Sequence, residues 1–107
     1  MTLLVLASLL LAAVLEVGGD AIVRRGLVGG SFGLIAGGML VLGLYGVIVN
    51  TVKWDFSKLL GVYVAVFAVV SVAAGRYVFG DTIPWTTWLG LALIVAGGAV
   101  IQFGAAS

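Results

Sequence analysis

The sequence has no cysteine and no histidine, and it is poor in charge: five basic and four acidic residues, 8% of 107. Without cysteine there are no disulfides and no thiol chemistry, and without histidine as well the usual ligands of zinc and haem are gone. No cofactor and no metal are expected. Nor is an enzyme, since no nucleophile–base pair or metal cluster stands out. A net charge of +1 gives no bias toward nucleic acid. Scarce charge also excludes a water-facing globular domain, which averages about 25% charged residues.

What is present is apolar: 64% of residues are hydrophobic, and the mean hydropathy is +1.36. Four runs, at about 2–23, 31–50, 59–79 and 85–105, reach the roughly 20 residues needed to cross a bilayer. They are continuous rather than alternating and about twice the length of a barrel strand, so they predict helices. The separators Arg24-Arg25-Gly26, Lys53 to Lys58 and Gly80 to Pro84 hold most of the charge. The expected fold is an all-α membrane protein, a four-transmembrane-helix bundle with antiparallel neighbours and lipid as its solvent. Met1-Thr2-Leu3 offers no basic n-region, and the first run outlasts an h-region of roughly 7–15 residues, so it reads as a membrane helix rather than a signal peptide.

The first run carries two carboxylates one turn apart, Glu16 and Asp20. An ionisable group deep in a spanning helix costs at least about 2.5–3.5 kcal/mol and usually lines a pathway. Glu16 falls about 5 Å past the midpoint of the run, and its neighbours at three and four positions are Ala12, Ala13, Gly19 and Asp20, none of them basic. It is the candidate site for protons and substrate. Ser8, Ala12, Glu16 and Gly19 form a stripe of small side chains that would let a helix or ligand approach the carboxylate. Asp20 has two readings: an interfacial partner of Arg24, four residues on, or a second pocket residue.

The other runs supply the rest of a pathway. In the second, Gly29, Gly33 and Gly37 recur every four residues, a spacing that favours close helix packing. Tyr45 and Asn50 lie toward its far end, as ligand contacts or interfacial anchors. Ser57 is placed to cap the third helix. Tyr63, Phe67 and Ser71 share a related face, with Tyr63 either touching substrate or packing. Arg76 reads as a snorkelling side chain. Pro84 precedes the fourth helix, where Trp85 and Trp88 belong to an aromatic belt. With few polar residues, that helix is a poor pathway wall. Its glycines, Gly90, Gly97 and Gly98, mark it instead as a dimer interface.

Alternating connections put Arg24, Arg25 and Arg76 on one side and Lys53 and Lys58 on the other. Three against two is hardly an orienting bias, so the expectation is insertion both ways round and pairing with an inverted copy, the alternative being one fixed orientation. Four short helices enclose little space alone, and an antiparallel homodimer would create the cavity.

Three stretches give a resemblance to the small multidrug resistance family of the drug/metabolite transporter superfamily. Ala13-Val14-Leu15-Glu16-Val17-Gly18 looks like its first-helix Glu–Gly motif, and Gly61-Val62-Tyr63-Val64 like the opening of its third helix. Gly90, Leu93-Ile94 and Ala96-Gly97 are similar to its G-x-x-L-I-x-A-G dimerisation pattern. Leu59 or Leu60 stands near the place of the family's third-helix tryptophan, and Asp20 has no placed counterpart. The resemblance implies proton-coupled export of small cationic or amphipathic compounds across the inner membrane of a prokaryote, with Glu16 holding a proton or a cation in turn. The alternative is a non-transporting membrane subunit, or a lipid-headgroup-binding partner protein, in which Glu16 and Asp20 are polar glue between helices.

Overall fold

Apolar runs in a medium without water must satisfy their backbone groups internally, and helices do so. The computed structural model describes residues 1–104. It folds them into α1 (Leu3–Gly29), α2 (Phe32–Val49), α3 (Phe56–Tyr77) and α4 (Trp85–Gly104), with no strand among the described residues. Each helix is long and apolar enough to cross a membrane. The chain is an integral membrane protein, an all-α four-helix bundle. Ala105, the expected end of the fourth helix, lies outside the described residues.

Small hydroxyl residues start the first two helices. The Val5 N–H donates to Thr2 Oγ1 at 3.1 Å and the Leu34 N–H to Ser31 Oγ at 3.2 Å, each satisfying a donor that the helix start leaves open. Ser57 is not a cap. It already lies inside α3, where Asp55 holds the N-cap position without a side-chain hydrogen bond. Pro84 does precede α4, and its carbonyl accepts from the Thr87 N–H at 3.0 Å.

The first helix differs most from expectation. It runs for 27 residues, about 40 Å, and holds Arg24 and Arg25 within the helix instead of in a loop. Charge ends an apolar run without ending a helix. The stop comes at Gly30, whose φ of 67° lies in the left-handed region that glycine adopts without strain. The Ser31 N–H then returns to the Gly26 carbonyl at 2.8 Å, and the turn into α2 is complete. Glu16 therefore stands at the middle of α1, with Asp20 about 6 Å and Arg24 about 12 Å further along the axis.

Backbones approach closely between α1 and α2, α3 and α4, and α1 and α3, and between no other helices among the described residues. The order across the molecule is α2, α1, α3, α4, giving a slab of 50 × 34 × 20 Å. Its thin dimension is about two helix diameters, so most side chains face lipid. The α1–α2 seam is glycine against glycine. A Cβ on Gly38 would meet Val23 Cγ2 at 2.5 Å and Val23 N at 2.9 Å, and one on Gly19 would meet Leu42 at 2.8 Å. The repeat Gly29, Gly33, Gly37 does not make this seam, for no atom lies within 4 Å of a Cβ at Gly29 or Gly37. One residue is about 100° of helix, enough to turn Gly37 away while Gly38 faces α1.

The buried core gathers Leu9, Ala12 and Ala13 of α1, Val49 and Val52, and Leu59, Val62 and Tyr63 of α3. All belong to the end of the bundle nearest the Lys53–Lys58 connection. At the opposite end α1 and α3 enclose a crevice.

Candidate functional site

Glu16 and Tyr63 meet where α1 crosses α3. Ala12 and Ala13 are fully buried there, and methyl side chains let the helices approach closely enough for a tyrosine to reach the neighbouring axis. The Tyr63 hydroxyl donates to Glu16 Oε1 at 2.8 Å. Its ring is 3% exposed, so the phenol is held by packing on its apolar body and by one hydrogen bond at its polar tip.

Aromatic rings continue from that bond. Tyr45 of α2 stacks on Tyr63 with ring centroids 5.5 Å apart and planes 25° apart. Phe67, one turn on, tilts against Tyr63 at 6.3 Å. The Tyr45 ring thus bridges α2 to α3, whose backbones do not come close. Glu16, Tyr45, Tyr63 and Phe67 form one cluster near the middle of three helices. A half-buried carboxylate beside aromatic faces can hold a proton or a small organic cation, whose charge both the anion and the rings attract.

The remaining expected residues scatter. Ser8 closes on its own helix, its hydroxyl donating to the Leu4 carbonyl at 3.0 Å. Ala12 is core, and Gly19 belongs to the α2 seam. Asn50 is likewise turned onto its own helix, with Nδ2 donating to the Gly46 carbonyl at 2.8 Å. Asp20 is exposed, and among the described residues it makes no ion pair with Arg24. An exposed pair at this spacing is worth only about 0.3–0.5 kcal/mol, too little to fix two solvated side chains together. Ser71 donates to the Ala68 carbonyl at 3.0 Å.

On α4, Gly98 is buried against α3, where a Cβ would come within 2.5 Å of the Ala65 Cβ. It joins helices inside one protomer. Gly90 and Ile94 line a shallow groove of about 430 Å³ between α3 and α4, while Gly97 meets no atom within 4 Å.

Between α1 and α3 lies a crevice of about 740 Å³. Arg24, Arg25 and Asp81 help to line it, and so do Asp20, Phe67 and Ser71. Asp81 reaches it because the α3–α4 connection folds back: its N–H donates to the Gly75 carbonyl at 2.8 Å. The left-handed φ of 71° at the preceding Gly80 makes that reversal. A glycine before an aspartate just after an apolar run was the available signal.

Fold and site together define a small integral membrane protein with a carboxylate–tyrosine pair half-way along its first helix. Comparison with protein-family models, with curated proteins and with solved structures found no match for the chain.

Proposed function

We propose that the chain is a proton-coupled antiporter that exports small cationic or amphipathic compounds, with Glu16 as the shared site of proton and substrate. The observation that carries this reading is the hydrogen bond from Tyr63 to Glu16 at the centre of α1, with Tyr45 and Phe67 packed around the same phenol. In this reading the empty site holds a proton on Glu16. An arriving cation supplies the compensating charge, and the proton leaves. Tyr45 and Phe67, both partly exposed, offer ring faces to the cation. The two species compete for one group, and that competition couples their movements in opposite directions.

The working unit in this reading is an antiparallel homodimer in the inner membrane of a prokaryote, similar to the small multidrug resistance family. The near balance of Arg24, Arg25 and Arg76 against Lys53 and Lys58 supports insertion in both orientations. Two copies of Glu16 would then share one cavity near the midplane.

The test is proton release from proteoliposomes under a pH gradient when an aromatic quaternary ammonium ion is added. The native chain releases protons, and Glu16→Gln releases none. Equal release from both would remove the antiport reading, and release from neither would favour the non-transporting subunit.

A further inference from the structure

The crevice between α1 and α3 is a site of a different kind from the Glu16 cluster, and Glu16 is not among its lining residues. Its mouth carries charge of both signs: Arg24 and Arg25 on α1, Asp20 one turn deeper, and Asp81 on the connection after α3. All four are exposed, and none is tied up in an ion pair among the described residues. Arg76 takes no part, since its guanidinium lies 5.7 Å from the centroid of the Tyr77 ring. The Ser71 hydroxyl is occupied by its own helix, so polar recognition falls to the charged groups.

Depth and access narrow the occupant. Arg24 lies about 12 Å along α1 from its midpoint, and a hydrocarbon half-layer is about 15 Å thick, so long arginine side chains there reach the level of lipid phosphates. Below them the walls are apolar, with Val17, Ile22 and Phe67. Since α2 packs on α1 and α4 on α3, no third helix backbone among the described residues closes over the α1–α3 gap. The crevice is open sideways to the bilayer.

We infer that this crevice holds a phospholipid with an amine-bearing, zwitterionic headgroup, its phosphate on Arg24 and Arg25 and its ammonium between Asp20 and Asp81. Guanidinium forks match phosphate oxygens in pairs. A purely anionic headgroup would face the two carboxylates uncompensated, and a purely cationic amphiphile the two arginines. The acyl chains run along Val17, Ile22 and Phe67, which a free aminophosphate would leave unused.

The experiment is electron paramagnetic resonance of chain-labelled lipids around the full-length protein in nanodiscs, reading the motionally restricted fraction. Labelled phosphatidylethanolamine is retained about two- to fivefold above labelled phosphatidylglycerol, the size of one exposed ion pair. Arg24→Gln with Arg25→Gln lowers retention of both lipids, and the lysine pair at the same positions restores it. Asp20→Asn with Asp81→Asn removes the preference for phosphatidylethanolamine while phosphatidylglycerol stays bound. Equal retention of the two lipids by the native chain, or retention untouched by either double variant, would overturn the assignment. Soluble glycerophosphoethanolamine leaves the labelled lipid in place; displacement at equal concentration would point to a free aminophosphate and overturn the lipid occupant. Glu16→Gln leaves retention unchanged, so the antiport reading and this one fail separately.

Discussion

The Tyr63 hydroxyl donates to Glu16 Oε1 at 2.8 Å, joining groups 47 positions apart on two helices. Tyr63→Phe deletes that donor and keeps the ring. A hydrogen bond is worth about 0.5–1.5 kcal/mol net, and Tyr63→Phe is expected to lower the unfolding free energy in detergent by that amount. In a Glu16→Ala background the same change costs much less. A double-mutant cycle with no coupling would show that the two groups do not act as a pair.

Tyr45 touches the site through its ring, which stacks on Tyr63. Tyr45→Phe keeps that stack and the ring face, while Tyr45→Ala removes a face worth about 0.5–1 kcal/mol to a bound cation. Calorimetric titration with an aromatic quaternary ammonium ion is expected to give near-native affinity for the first and about two- to fivefold weaker binding for the second. Equal affinities would remove the ring from the binding site.

Adjacent glycines on α2 separate packing from propensity. Gly38→Ala drives a methyl into the backbone nitrogen of Val23, 2.9 Å away, and into its side chain. Backbone cannot rotate aside, so the cost is about 1–3 kcal/mol. Gly37→Ala meets nothing within 4 Å and is neutral or stabilising by up to about 1 kcal/mol. Thermal unfolding of the two variants in one detergent checks the contrast.

The same logic divides Gly97 from Gly98. Gly98→Leu forces α4 off Ala65 and destabilises the protomer, whereas Gly97→Leu leaves its fold unchanged. If α4 joins subunits in the proposed homodimer, Gly97→Leu also reduces cross-linked dimer in vesicles. Undiminished cross-linking would take Gly97 out of the interface.

Much of the fold was legible because lipid imposes a crude requirement, about 20 apolar residues per crossing, and four runs meet it. Helix ends were less so. Reading charge as a boundary stopped the first helix at Arg24, while the backbone stops where Gly30 turns left-handed. Glu16 stood out because an unpaired acid in an apolar run needs no partner to be noticed. Its partner did not, since Tyr63 reaches it only through the register of α1 on α3, which no local pattern encodes. Gly37 and Gly98 were not placed by their spacing for a related reason: small-residue spacing marks a face without saying which neighbour, if any, it meets.

The bare-backbone seam of α1 with α2 and the Gly98 contact of α4 with α3 make two stiff arms, clasped to each other near Ala12 and Ala13. From Ala12 to Arg24 is a lever of about 18 Å. A scissoring of about 10° at the clasp would swing the arginines by about 3 Å, enough to make or break their grip on a phosphate. It would also shift Glu16, about 6 Å from the pivot, by about 1 Å against the Tyr63 hydroxyl.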